Sequence, residues 1–189
     1  MTAKAGMVRK NKIVLGIDPG LARMGFGVII QADGKFKMLE CGTLTTEAHR
    51  PPEERLAVMF GKLQKALKKA SPDEVAMEEL FFSKNAKTAI AVGQARGVAL
   101  LVCGLAGIPV YEYRPMEVKQ AVAGYGAADK QQVQKMVKLL LGLTETPKPD
   151  DTADALAIAI THLQCSGTSL SEAIKKLSKN TAGPTFMKR

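Results

Sequence analysis

Four carboxylates in this chain stand where an acid is costly unless it is put to use: Asp18, Glu78, Asp151 and Asp154. Asp18 closes the run Ile13-Val-Leu-Gly-Ile17 and is followed at once by Pro19-Gly20. A β-branched run that is apolar on both parities is a strand buried on both faces, so Asp18 falls at a strand's end. Glu78 is likewise the last residue of a short strand, Glu74-Val-Ala-Met-Glu78. Asp151 and Asp154 are three apart in the first turn of a helix and can face one way. If that helix starts beside the two strand ends, four acids share one half-buried pocket. Their repulsion is then large, and two divalent cations are the simplest remedy. Hard oxygen donors favour magnesium, with manganese as a substitute. Two such ions about 3.5–4 Å apart suit the hydrolysis of a phosphodiester, generating hydroxide and stabilising the leaving oxygen.

Each acid also has an ordinary explanation. Asp starts a turn well before Pro-Gly. Asp151 is a good N-cap and Asp154 a favourable first-turn acid, unless Asp150 caps and leaves Asp151 free. Glu78 with Glu79 reads equally as a solvated pair. The joint pattern says more than its parts, because capping does not require acids at the ends of two separate strands.

The elements that must position these acids follow from hydrophobic periodicity. Phe26-Gly-Val-Ile-Ile30 is predicted to pair with the first strand as a hairpin, Gly25 and Gly27 loosening the return, and Phe36–Leu44 to add an edge strand after the Asp33-Gly34 turn. Pro51-Pro52-Glu53-Glu54 opens a helix that runs to Ala70, with Leu56, Met59, Phe60, Leu63 and Leu67 on its apolar face. The strand ending at Glu78 is then expected beside the first through a right-handed crossover. A very apolar helix from Ser83 to about Gly107 follows, with Gly93, Gly97 and Gly104 offering close approach; such a helix needs cover on more than one side and is the candidate seam for a second subunit. Ile108–Tyr113 is the fifth strand, and helices are predicted at Pro115–Ala123, Asp129–Leu141 and Lys148–Leu163. The expected fold is α/β, a mixed five-stranded sheet with helices on both faces.

The 189 residues, 46% hydrophobic and 24% charged, fit one domain with a full core. That domain is expected over 13–163, between a basic extension, 1–12, and a basic tail, 164–189. Of the net charge of +9, each arm carries +4, which points to a polyanionic partner, nucleic acid before anionic membrane. The longest unbroken apolar run, Gly97–Val110, has 14 residues, short of the ~18 of a membrane span, and nothing before Ile13 reads as a signal peptide. Three widely spaced cysteines suit free thiols, and two histidines make zinc an unpromising cofactor. The expected location is the cytoplasm.

Gly16-Ile-Asp-Pro-Gly20, Met77-Glu-Glu-Leu-Phe81, Asn85, Gly93-Gln-Ala-Arg-Gly97, Val118-Lys-Gln120, Asp129-Lys130 and Asp151-Thr-Ala-Asp-Ala-Leu-Ala-Ile-Ala-Ile-Thr-His162 together resemble the RuvC family of Holliday junction resolvases. The resemblance runs from about Ile13 to Leu163. It implies an RNase H-like fold, a homodimer, and magnesium-dependent paired nicking of four-way DNA junctions in recombination, with the RuvA and RuvB branch-migration proteins as partners. The family's metal-site acids fall on Asp18, Glu78, Asp151 and Asp154, its catalytic-region lysines on Lys119 and Lys130, and its junction-stacking aromatic on Phe81. Lys119 and Lys130 suit phosphate contacts, and one of Phe81 and Phe82 suits stacking on an opened base step. Lys84 and Lys87 complete the expected DNA-facing set. Lys119 and Lys130 read otherwise as solvated surface, the phenylalanines as core, Lys87 and Arg96 as surface or interface, and His162 as a packed or surface residue. The Asp-Pro-Gly turn alone is shared with actin-like ATPases, but those need a second lobe and a glycine-rich phosphate loop.

Overall fold

The computed structural model describes residues 11–79 and 86–166. Strands β1 (Asn11–Asp18), β2 (Arg23–Ala32) and β3 (Lys35–Thr45) form an antiparallel meander. Helix α1 (Pro52–Ala70) leads to β4 (Glu74–Glu78), which pairs parallel with β1. Helix α2 (Ala86–Leu105) leads to β5 (Val110–Tyr113), parallel to β4. Helices α3 (Pro115–Ala123), α4 (Lys130–Leu140) and α5 (Asp150–Ser166) complete the chain, and the sheet order is β3-β2-β1-β4-β5.

Local chemistry explains most boundaries. Asp33 and Gly34 both take positive φ, 51° and 75°, as a two-residue hairpin turn requires. Pro52 sits at the start of α1, where a missing N–H costs nothing, and Ser71 ends the helix in the left-handed conformation. Asp129 caps α4, accepting from Gln132 N at 2.8 Å, while the Gln132 side chain accepts from Asp129 N at 2.8 Å.

Strand parity sorts the core into two layers. Leu15, Ile17, Met24, Phe26, Val28, Val75 and Met77 pack under α1 and α2, whose Met59, Leu63, Leu67, Ala95, Ala99 and Val102 meet them. Val14, Ile29 and Ala76 face the other way, onto the buried face of α5 and the apolar sides of α3 and α4. Asp18 and Glu78 share parity with Val14 and Ala76, so both acids belong to the α5 layer.

Three glycines decide how close α5 comes. A Cβ at Gly16 would lie 2.0 Å from the Ala155 carbonyl oxygen, at Gly25 1.9 Å from the Asp151 carbonyl oxygen, and at Gly27 2.6 Å from Leu156 Cδ2. Gly25 and Gly27 thus do more than loosen a turn: with Gly16 they make the flat track on which α5 is seated. Among the described residues a Cβ at Gly97 or Gly104 would meet nothing within 4 Å, so any close approach these glycines permit is not to this part of the chain.

Helix α2 corrects one expectation and bears on another. Thr88–Leu105 is long and apolar enough, by length and composition alone, to cross a membrane, because the helix average absorbs the polar residues that interrupt a strict apolar run. Its inner side packs through Ala95, Ala99, Val102 and Cys103, while 22% of the stretch is buried and Ile90, Leu101 and Leu105 stand exposed. Arg96 is not a free surface residue; it pairs with Glu112 of β5.

Candidate active site

The four acids converge at the end of the sheet where β1 and β4 finish and α5 begins. Asp18 ends β1, opposite Gly25 of β2, and its turn is pinned from behind: Thr46 Oγ1 donates to Leu21 O at 2.6 Å, Thr46 N to Ala22 O at 3.1 Å, and Arg55 Nε to Thr46 Oγ1 at 3.0 Å. Glu78 ends β4, and the next residue is held by Glu79 N donating to Tyr113 O at 2.8 Å and by an Arg114–Glu79 ion pair at 3.0 Å. Glu79 is therefore part of a cross-link rather than the second half of a solvated acidic pair. Helix α5 delivers Asp151 and Asp154 from its first turns, steadied by a Thr43–Thr152 hydroxyl contact of 3.2 Å.

Electrostatics show that these groups share one field. Burial, then the Glu78, Asp154 and Asp151 carboxylates, push Asp18 up to about 7, with Lys130 opposing. Burial and Asp154 raise Glu78 against the pull of Lys119 and Lys130. Burial raises Asp154 as well, with Asp150 and Asp151 adding to it, although Lys130 draws it back.

The two lysines sit on the α3–α4 side. Lys119 lies in α3, and its charge is felt at Glu78. Lys130, the first residue of α4, places Nζ 3.1 Å from Asp154 Oδ2 and 3.4 Å from Asp150 Oδ2. Asp150 also accepts from Gln134 Nε2 at 3.1 Å, so its side chain joins α5 to α4. Phe81, Phe82 and Lys84 lie outside the described residues; Lys87 falls in the first turn of α2, and its side chain is likewise outside them.

Residues not singled out from the sequence complete the rim. Arg23, at the start of β2, brings Nε to 3.3 Å from Asp151 Oδ2. That buried oxygen makes no hydrogen bond, so the Arg23 contact is ionic proximity without hydrogen-bond alignment. No spacing signal marks Arg23, because what matters is that β2 begins beside α5. Arg55 and Thr46 were equally silent.

Hard divalent cations suit this donor set: four carboxylates, one of them held as a reluctant anion, and an inner Asp151 oxygen with no hydrogen bond. Among the described residues, no three His, Cys, Asp or Glu side chains already form a metal cage. Asp154 meanwhile has one oxygen, Oδ2, on Lys130.

A mixed sheet in the order β3-β2-β1-β4-β5, with acids at the ends of β1 and β4 and on the facing helix, defines an RNase H-like protein. Residues 14–162 match the family model of the crossover junction endodeoxyribonuclease RuvC. The RuvC of Brevibacillus brevis is 54% identical over 164 residues, covering 86% of this chain and 99% of that protein. The RuvC of Chloroflexus aggregans is 58% identical over 148 residues, covering 78% and 90%. Among solved structures, Thermus thermophilus RuvC in complex with Holliday junction substrate superposes with a TM-score of 0.80 at 40% identity, covering 84% of this chain and 97% of that one. The yeast mitochondrial resolvase Ydc2, 15% identical with a TM-score of 0.61 over 88% and 85% of the two chains, shares the fold. The chain belongs to the RuvC family.

Proposed function

We propose that this protein is a structure-selective endodeoxyribonuclease that resolves four-way DNA junctions by paired symmetric nicks in recombination and repair. The observation that carries the reading is the meeting of Asp18, Glu78 and Asp154 at the seam of β1, β4 and α5, where burial first and neighbouring carboxylates second push Asp18 up to about 7. Asp18, Glu78, Asp151 and Asp154 would hold two magnesium ions, with manganese as a substitute. When bound, such a pair supplies an activated water and stabilisation of the leaving oxygen in phosphodiester hydrolysis. The chain's own residues do the rest. The glycine track under α5 sets the distance between the helical and strand acids. Lys130 now offsets Asp154 and Asp150, and with Lys119 it is placed to take DNA phosphates and balance charge that develops on them. Phe81 or Phe82 would stack at the opened branch point, with Lys84 and Lys87 on the neighbouring backbone.

Two-fold symmetric nicking calls for two such sites facing opposing strands, which a C2 dimer supplies. The exposed Ile90, Leu101 and Leu105 of α2 support that helix as the seam. The compartment is the cytoplasm, which three widely spaced free thiols suit, and the assembly partners, carried from the family resemblance, are RuvA and RuvB. The nuclease domain is 13–163, with basic arms on either side.

The test is cleavage of labelled four-way, Y-shaped, linear duplex and RNA–DNA substrates, in magnesium and in chelator. Magnesium-dependent, symmetric nicking that favours the four-way junction supports the reading. Equal cutting of all substrates makes the protein a general nuclease, and binding without cutting makes it a junction-binding module. Sedimentation as a monomer at micromolar concentration would remove the α2 seam.

A further inference from the structure

The acids at the sheet's end are flanked by cations on two sides. On the α4 side Lys130 spans Asp154 and Asp150. On the β2 side Arg23 brings Nε to 3.3 Å from Asp151 Oδ2, and its charge also reaches Asp150. The Arg23 side chain is 60% exposed, and among the described residues its guanidinium makes no hydrogen bond. A residue whose only task was to neutralise Asp151 would gain most by aligning its fork with the carboxylate. Here the Asp151 oxygen that Arg23 approaches stays without a hydrogen bond among the described residues, and most of the Arg23 side chain is open to solvent. A planar fork held at one end by a carboxylate and open at the other suits a second, bidentate anion.

We infer that Arg23 is a phosphate-binding residue of this site, gripping the DNA backbone on the β2 side while Lys119 and Lys130 take it on the α3–α4 side. The assignment rests on the nuclease reading for its substrate class, though not for its geometry. It gives Arg23 two contacts at once, with the Asp151 charge keeping the guanidinium near the acids and the phosphate supplying the aligned hydrogen bonds that Asp151 does not.

The test uses the full chain with R23Q and R23K. The probes are a fluorescent four-way junction and a series of the same junction, each with one neutral methylphosphonate among the three phosphates on either side of the branch point. Binding is read by anisotropy in chelator, nicking by single-turnover assays in magnesium, and folding by thermal melts. R23Q should weaken junction binding ~10-fold, the loss expected for one exposed charge-assisted contact, with R23K intermediate. At one position the methylphosphonate should cost the wild type about the same factor and cost R23Q nothing further. R23Q binding within about twofold of wild type overturns the assignment. So do equal methylphosphonate penalties for both proteins at every position, or a defect confined to the magnesium needed for nicking, which marks Arg23 as a structural partner of Asp151 only. A wild type that binds but does not nick removes the nuclease reading and leaves the binding comparison to decide on Arg23; one that binds no junction removes both.

Discussion

Helix α5 carries buried polar chemistry at both of its ends, and the two ends are built on opposite terms. At its start, Asp151 and Asp154 meet Asp18 and Glu78, and burial with mutual repulsion raises Asp18, Glu78 and Asp154. Near its finish, His162 is 2% exposed and bridges two strands: its Nδ1 pairs with Tyr113 Oη at 2.7 Å, its Nε2 with Glu74, and Lys12 Nζ reaches the same Glu74 oxygen at 2.5 Å. Burial pushes Glu74 up, but hydrogen bonds from Lys12 and His162 more than reverse it and leave it below its ordinary value. Tyr111 stacks on the imidazole with ring centres 4.6 Å apart, closing the distal network. Both regions bury acids beside one helix. The distal one satisfies its acid from within the chain; the proximal one leaves its acids in excess, a balance that the proposed external cations would restore.

The largest effect should come from removing one proximal acid. Asp18→Asn is expected to lower junction nicking by on the order of 10³-fold with junction binding kept, read by single-turnover cleavage beside a gel-shift assay. Equal loss of both, with the fold intact, breaks the contrast, because Asp18 would then be holding structure.

Stability should move in the opposite direction. Asp18 keeps its proton in the folded state between 3.8 and about 7, so its contribution is full below the unfolded value and is lost as pH rises through 7. In chelator at pH 8, Asp18→Asn should therefore stabilise by about 2 kcal/mol, a Tm rise of about 4–8 °C. At the distal end the sign reverses. Glu74 and His162 both lie below their ordinary 4.5 and 6.5, so their contributions weaken as pH falls through those values. His162→Leu should cost about 2–4 kcal/mol, since it leaves the Tyr113 hydroxyl without this partner and Glu74 with Lys12 but not His162, and should flatten the loss of stability below pH 6.5 in denaturant titrations. Tyr113→Phe removes a single hydrogen bond and should cost about 1 kcal/mol in the same assay.

The proximal end was legible in the sequence because its parts are local. A buried run stopped by Pro-Gly announces Asp18 at a strand's end, and the three-residue spacing announces that Asp151 and Asp154 face together. The antiparallel meander, the β1–β4 pairing and the three closing helices followed from periodicity and turn residues. The distal network was not legible, because Glu74, Tyr113 and His162 become neighbours only once α5 is laid across β4 and β5; alone, His162 reads as no more than a packed side chain. Arg23 was missed for a related reason, its neighbour being 128 positions away. The glycines were read only in part. Gly97 and Gly104 drew notice on an oily helix and meet none of the described residues, as the face of a seam would, whereas the spacing of Gly16, Gly25 and Gly27 becomes meaningful only under α5.

The glycine track also gauges the pocket. Because main-chain atoms of α5 rest at Gly16 and Gly25 where side chains would otherwise intervene, the distance from helix backbone to sheet is fixed by backbone contact. Asp154→Glu keeps the charge but shifts the carboxylate outward by one methylene from a backbone held at that distance, so length as well as charge sets where each acid ends.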